Sequence, residues 1–141
     1  MQLLDQSFLI QNLMYFGQVF LAVLLGGLVG IQREKIGKAA GVRTYALVTG
    51  GAALFTIIST VLFPLDPARI AAQIVVGIGF LGAGSILQKD DKISGLTTAA
   101  GLWMMAAVGM AIGLNQYLLA FLVSLLVITV LMFNEEKFLK K

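Results

Sequence analysis

Residues 41–48 read Gly-Val-Arg-Thr-Tyr-Ala-Leu-Val, and they stand where one long apolar run has ended and the next begins. Arg33 and Glu34 lie just upstream, at the end of the preceding apolar run. A basic patch between two runs of membrane-spanning length predicts a short loop on one face of a bilayer. This loop fixes how the chain is threaded and concentrates much of its ionisable chemistry in one place.

Composition places the chain among membrane proteins. Of its 141 residues, 59% are hydrophobic and 12% are charged, with a mean hydropathy of +0.95. A soluble domain is about half apolar and about a quarter charged, and so small a chain cannot bury this much apolar surface in one water-facing core. We therefore predict a single domain, an all-α bundle of five transmembrane helices at about residues 13–31, 44–63, 68–87, 96–112 and 117–133.

The two ends of the sequence carry separate predictions. Residues 1–12 mix apolar and polar side chains and predict a short helix at the membrane interface, with a frayed end as the alternative. The first residues lack a positive segment and a small-residue cleavage site, so we expect no cleavable signal peptide.

The basic residues are divided unevenly between the two predicted faces. One face holds only Arg69, and the other holds Arg33, Lys35, Lys38, Arg43, Lys89, Lys92, Lys137, Lys140 and Lys141. Because positive residues stay cytoplasmic, we predict an outer N-terminus and a cytoplasmic C-terminus. This topology also explains the net charge of +3 without a nucleic-acid partner.

The absence of cysteine and histidine excludes several kinds of chemistry. Disulfides, thiolate nucleophiles, imidazole bases and nitrogen–sulfur metal sites all need these residues. We expect no enzymatic activity and no cofactor, and any metal would be a hard cation bound by oxygen. The pattern GxGxxG at residues 77–82 lies inside a membrane-length run, where it does not indicate a nucleotide site.

Small residues recur at helical spacing on three of the predicted spans. In lipid, helices associate through close approach at such residues, so they predict either a tight bundle or, alternatively, a homodimer seam. On the third span, Ala72, Val76, Gly79 and Ala83 form one stripe, and we expect Gly79→Leu to disrupt the bundle. The glycines predicted to pack helices are Gly26, Gly30, Gly77, Gly79, Gly82, Gly84, Gly109 and Gly113.

Three groups of polar residues are candidate functional sites. The predicted cytoplasmic group is Arg33, Glu34, Lys38, Arg43 and Thr44. We expect Glu34 to pair with Arg33 or Arg43 and Thr44 to cap the second span. The alternative is that these residues only anchor the loop to anionic headgroups.

The predicted outer group is Asp66, Arg69 and Gln73. Asp66 before Pro67 is typical of a helix cap, whereas an ion pair with Arg69 would offset the cost of a cation near lipid. Arg69 and Gln73 share a helix face, so the group predicts a polar notch at the mouth of the bundle.

The third group, Gly95, Thr97 and Thr98, opens the fourth span and indicates capping and close packing. Residues 89–92 (Lys-Asp-Asp-Lys) are typical of a solvated turn, and their two carboxylates are only a weak Mg²⁺ signal. No confident metal site follows.

The motifs around these groups resemble the MgtC/SapB family of membrane proteins. The similar segments run in order through the chain: Gly-Ile-Gln-Arg-Glu at 30–34, Lys-Ala-Ala-Gly-Val-Arg-Thr at 38–44, Arg-Ile-Ala-Ala-Gln-Ile-Val at 69–75, Gly-Ile-Gly-Phe-Leu-Gly-Ala-Gly at 77–84 and Gly-Leu-Thr-Thr-Ala-Ala at 95–100. One family acid is replaced by Gln32.

The resemblance implies a multi-pass protein of the bacterial inner membrane without enzymatic activity. It implies a regulator in adaptation to Mg²⁺ limitation and survival inside host cells, acting through a membrane protein such as the F-type ATP synthase. Many members add a soluble ACT-like domain, so we expect this chain to represent the transmembrane part alone. The alternative is a small transporter or channel for a cation such as Mg²⁺. Against it, no predicted span carries an acid at its midplane, where transport sites normally lie.

Overall fold

The computed structural model describes residues 6–89 and 92–133. In these ranges the chain forms five helices: α1 (Gln6–Lys35), α2 (Val42–Leu62), α3 (Pro67–Gly84), α4 (Leu96–Gly113) and α5 (Tyr117–Met132). Between α3 and α4 lie two short antiparallel strands, β1 (Leu87–Lys89) and β2 (Lys92–Ser94), with Gln88 opposite Ile93. The all-α bundle predicted from the apolar runs is confirmed.

Two predicted boundaries differ from the observed ones. Residues 6–12 do not form a separate helix but continue into α1, whose 30 residues give a length of about 45 Å; residues 1–5 lie outside the described residues. α3 ends at Gly84 rather than residue 87, because the Ser85 hydroxyl and amide both donate to the Gly82 carbonyl, and the chain then enters β1.

The helices differ in how well they fit a bilayer. Within the described ranges, α1 to α4 are each long and apolar enough to cross one. α5 is apolar throughout but has only 16 residues, or about 24 Å against a hydrocarbon layer of about 30 Å. Because a bilayer thins around a short apolar helix, α5 remains the predicted fifth span.

α2 and α4 form the centre of the bundle, with α1, α3 and α5 packed around them. α2 lies between α1 and α4, and its buried residues include several hydroxyl side chains. Thr49 and Thr56 donate to carbonyls one turn back, those of Tyr45 (2.9 Å) and Ala52 (2.8 Å). These bonds satisfy the hydroxyls inside their own helix, which lets a polar residue lie in an apolar core.

Glycines set the spacing on both sides of α2. A Cβ added at Gly26 on α1 would stand 2.5 Å from the Tyr45 carbonyl oxygen, and one added at Gly30 would stand 2.6 Å from the Cα of Val42. On α4, a Cβ at Gly109 would overlap the Thr49 carbonyl oxygen, and one at Gly113 would meet the Ala53 carbonyl at 2.8 Å. These four predicted packing glycines therefore lie at helix contacts that leave no room for a side chain.

The prediction for α3 is wrong in part. Gly82 approaches Ala99 on α4, where an added Cβ would be 3.5 Å away, but Gly77, Gly79 and Gly84 have nothing within 4 Å of an added Cβ. α3 packs through Ile74, Ile78 and Gly82, so its small-residue stripe faces outward. Gly79→Leu is thus not expected to disrupt the packing of the chain.

Contacts between helices identify two ends of the bundle. At one end, Arg33 on α1 reaches α5, and Tyr45 on α2 reaches α4. At the other end, Gln18 contacts the turn between α4 and α5, and the Ser59 hydroxyl donates to the Pro67 carbonyl at 2.7 Å. The charge pattern predicts that the Arg33 end is cytoplasmic; residues 134–141, which carry part of that pattern, lie outside the described residues.

Candidate functional site

Arg33 is the most deeply buried charged residue among those described, with 1% of its surface exposed. It lies in the last turn of α1, and its Nη1 donates to the Leu131 carbonyl on α5 at 3.4 Å. A buried guanidinium inside a bundle of this kind is costly unless it is held by several acceptors. Arg33 therefore ties α1 to α5 at the predicted cytoplasmic end.

Tyr45 continues this connection into the centre of the bundle. It is fully buried, and its hydroxyl lies close enough to Arg33 for a side-chain hydrogen bond. The same hydroxyl donates to the Thr98 carbonyl at 3.5 Å, and it occupies the space that a Cβ at Gly101 would need. Arg33 and Tyr45 thus join four helices through polar contacts, and we call these two residues with their carbonyl partners the Arg33–Tyr45 network.

Glu34 serves α2 rather than a neighbouring arginine. Its Oε2 accepts the Val42 amide at 2.9 Å, and it lies against Gly41, which precedes α2. The predicted pairing of Glu34 with Arg33 or Arg43 is therefore replaced by a cap supplied from α1. The carboxylate also suits the positive end of the α2 dipole.

Thr44 does not cap α2, contrary to the prediction. The helix begins at Val42, two residues earlier, so Thr44 lies within its first turn and is exposed. Lys38 and Arg43 are exposed as well. The structure thus separates the predicted cytoplasmic group into a buried Arg33 and an exposed surface that is suited to anionic lipid headgroups.

The start of α4 is fixed by backbone geometry. Gly95 precedes the helix with φ +91°, and a Cβ there would overlap the Ser85 carbonyl oxygen. No side-chain hydrogen bond caps this end, so the predicted hydroxyl cap is wrong. Thr98 is buried and supplies its carbonyl to Tyr45, whereas Thr97 is exposed.

At the opposite end, Asp66 and Arg69 form the predicted ion pair. Asp66 Oδ2 lies 3.7 Å from Arg69 Nε, with 58% and 73% of the two side chains exposed. Asp66 occupies the position before α3, but its carboxylate makes no capping hydrogen bond. The structure therefore favours the pairing interpretation over the capping one, although such an exposed pair contributes little to stability.

Gln73 does not form the predicted polar notch with Asp66 and Arg69. It lies in an apolar groove instead. The groove has a volume of about 490 Å³ and runs between α2 and α3, with Gln73 as its single polar side chain among Leu47, Phe55, Ile70, Ile74 and Leu81 and their neighbours. Gln73 is exposed, so the group of three is extended along α3 rather than gathered around one point.

The Arg33–Tyr45 network gives this end of the bundle a direct connection between helices. Among the residues described, no group of three or more acidic, cysteine or histidine side chains could hold a metal ion; Asp90 and Asp91 lie outside them. The Arg33–Tyr45 network instead connects the α1–α2 loop to α4 and α5. A ligand or partner that moved this loop would therefore displace the helices that contact it.

Sequence reasoning missed Tyr45 and the two backbone carbonyls of the network. The sequence could have indicated Tyr45, because a tyrosine four residues before Thr49 places two hydroxyls on one helix face. The Thr98 and Leu131 carbonyls carry no sequence signal, because every residue has a carbonyl group.

Comparison with known proteins gives a consistent set of relatives. The sequence model of the MgtC family matches residues 19–138. Protein MgtC of Salmonella typhimurium (strain LT2) is 48% identical over 103 residues, which is 73% of this chain and 45% of that protein. YhiD of Escherichia coli (strain K12), whose name describes a proposed magnesium transporter, is 45% identical over 123 residues, or 81% of this chain and 57% of YhiD. No solved structure matches the chain.

The chain spans about half the length of the curated relatives it matches. The matched region of this chain contains four of the five helices completely and most of α1. The similarity to the family therefore covers the helical bundle and its two polar ends.

Proposed function

Because the chain belongs to the MgtC family, we propose that it is a non-enzymatic regulator that acts through a membrane-protein partner. It is a magnesium-related, multi-pass protein of the bacterial inner membrane. We further propose that the chain responds to Mg²⁺ limitation by contacting another protein and not by transporting the ion.

The observation that carries the proposal is the closed interior of the bundle. Thr49 is fully buried, with Gly26 of α1 against its hydroxyl and Gly109 of α4 against its carbonyl. The buried hydroxyls of Thr49 and Thr56 are used by carbonyls of α2 itself. With both helices packed this closely on α2, the interior at Thr49 leaves no space for a Mg²⁺ ion with its water shell, which the ion gives up reluctantly.

The outer surface of α3 supports the idea of a partner. Its exposed face carries Val76, Phe80 and the glycines that pack against nothing in the described chain. Small residues let a second helix approach closely in lipid. A membrane-spanning helix of another protein, or a second copy of this chain in a homodimer, could therefore pack on α3.

The resemblance to MgtC/SapB proteins suggests which partner to test first. It implies the F-type ATP synthase, a membrane assembly built from packed helices, and a role in survival inside host cells. Both belong to the proposal for this chain. Exposed Lys38 and Arg43, at the predicted cytoplasmic end, would add attraction to acidic partner surfaces or lipid headgroups.

A cation transporter is the second candidate, because the relative YhiD is named as a proposed magnesium transporter. In this alternative the Arg33–Tyr45 network would mark one end of a path that opens in another conformation. The closed packing around Thr49 argues against such a path in the conformation described here.

Co-purification tests the proposal. Wild-type chain and Gly79→Leu are expressed at equal levels, extracted in mild detergent and captured, and ATP synthase subunits are quantified. Gly79 has open space around it, so the variant should fold normally but lose most of the bound partner. Leu118→Phe, on the exposed face of α5, is the control for added bulk and should keep it. Equal recovery with all three chains, or recovery with none, would contradict the proposal.

A further inference from the structure

A polar pocket of about 380 Å³ lies at the end of the bundle opposite the Arg33–Tyr45 network. Tyr15, Gln18 and Leu21 of α1 form one side, and Asn115 and Tyr117 from the turn between α4 and α5 form the other. Gln18 is 15 residues before Arg33 on one helix, which is about 22 Å along the helix axis. The pocket therefore lies near the predicted outer interface of the bilayer, and the proposed function makes no use of it.

Gln18 is buried, with 7% of its surface exposed, and only one end of its amide is bonded. Nε2 donates to Asn115 Oδ1 at 2.5 Å and to the Tyr117 hydroxyl at 2.9 Å. Oε1 is buried and has no hydrogen-bond partner in the structure. Turning the amide over would place its oxygen against Asn115 Oδ1, which is also an acceptor, so the contacts favour the orientation in which Oε1 lacks a partner.

The other wall of the pocket is held rigidly by the end of α4. Asn115 adopts a left-handed backbone with φ 62°, and the amides of Asn115 and Gln116 donate to the carbonyls of Ile112 and Ala111. This is the Schellman pattern of a helix end, in which asparagine replaces glycine. The Tyr117 hydroxyl donates to Asn115 Oδ1 at 2.9 Å, so the polar wall is organised before any ligand arrives.

The chemistry of the lining selects an uncharged ligand. The lining contains no aspartate, glutamate, lysine or arginine, so a bound ion would lack a countercharge. The free Gln18 Oε1 needs a hydroxyl or N–H donor. The rings of Tyr15 and Tyr117, with Leu21 beside them, provide apolar faces for the carbon side of such a molecule.

We propose that this pocket binds an uncharged polyol group, a glycerol or a sugar ring, with one ligand hydroxyl donating to Gln18 Oε1 once a rotation of the side chain exposes that atom. The group reaches the site either as the headgroup of a membrane lipid or as a free solute, since both sources offer the same hydroxyls at the interface.

Native mass spectrometry of the whole chain in a sugar-free detergent tests this inference. The probes are a monoglucosyl diacylglycerol, free glucose, and a phosphatidylcholine with the same acyl chains, which lacks hydroxyl donors. The glucolipid should bind more tightly than phosphatidylcholine, and Gln18→Leu should weaken that binding about five- to tenfold, the loss expected for one hydrogen bond. Gln73→Leu, which changes an exposed glutamine on α3, is the control and should bind as wild type.

A second variant keeps the test valid if Gln18→Leu does not fold. Asn115→Gly retains the left-handed backbone but removes the amide side chain from the polar wall, and it should weaken glucolipid binding as well. Competition by free glucose would show that the pocket also accepts a solute, and binding of the lipid alone would assign it to a headgroup. The inference is overturned if the glucolipid binds no better than phosphatidylcholine, or if the folded Gln18 and Asn115 variants bind it like wild type.

Discussion

Replacing Gly26 and Gly79 by alanine should change the stability of the bundle in opposite directions. A Cβ at Gly26 would stand 2.5 Å from the Tyr45 carbonyl oxygen and 2.6 Å from the Thr49 hydroxyl oxygen. Comfortable contacts between heavy atoms lie near 3.5 Å, so α1 and α2 would have to separate by about 1 Å. At Gly79, nothing lies within 4 Å of an added Cβ.

The size of each effect follows from these surroundings. Overpacking of this kind costs about 1–3 kcal/mol, and the obstacles at Gly26 are a backbone carbonyl and a stiff β-branched side chain. We therefore expect Gly26→Ala to lose about 2 kcal/mol. Gly79→Ala should gain up to about 1 kcal/mol, because alanine restricts the unfolded chain and favours the helix.

Reversible unfolding in mixed micelles measures this difference. Both variants and the wild type are titrated with a denaturing detergent while helix content is followed by circular dichroism. Equal stabilities for Gly26→Ala and Gly79→Ala would refute the assignment of one glycine to the α1–α2 contact and the other to an open face.

Three further predictions concern the ends of the helices. In the same titration, Gly95→Ala should lower the free energy of unfolding by about 2 kcal/mol, because alanine there adds backbone strain and overlap. Gly37→Ala should cost less, because Gly37 has φ +69° but open space around it. Equal losses would show that the overlap at Gly95 contributes nothing. Glu34→Ala should cost about 1 kcal/mol, the usual value of a helix cap, whereas Glu34→Gln keeps an oxygen acceptor and should cost less; no difference between them would contradict the capping role. Asp66→Asn should change stability by less than about 1 kcal/mol because the pair with Arg69 is exposed, yet it should fail to restore growth of a deletion strain in low Mg²⁺ at matched membrane levels; full complementation would remove Asp66 from the functional residues.

The helices were predictable because their signal is local. Each apolar run is bounded by glycine, proline, amide or charged residues, and lipid forces such a run into a helix. The predicted spans therefore coincide with α2, α4 and α5 to within a few residues. The start of α2 was misplaced because its cap, Glu34, comes from another helix, and a pattern confined to residues 41–48 does not contain that contact.

The facing of α3 could not be predicted from its small residues. A stripe containing Gly79 packs against a neighbour in one fold and faces outward in another, and only the positions of α2 and α4 distinguish the two. The burial of Arg33 could not be predicted either. Arg33 is buried and Lys38 and Arg43 are exposed because of where the neighbouring helices lie, which the sequence pattern does not contain. Gln18 was overlooked because one amide in an apolar run changes its hydropathy little.

Mg²⁺ flux into liposomes that contain only this chain tests the central claim most directly. The purified protein is reconstituted at several protein-to-lipid ratios, and a trapped Mg²⁺ indicator reports entry under an imposed inward gradient and negative internal potential. Because α1 and α4 close on Thr49, we predict an entry rate equal to that of protein-free liposomes at every ratio. Saturable entry that rises in proportion to the amount of protein would contradict the account and establish the chain as a transporter.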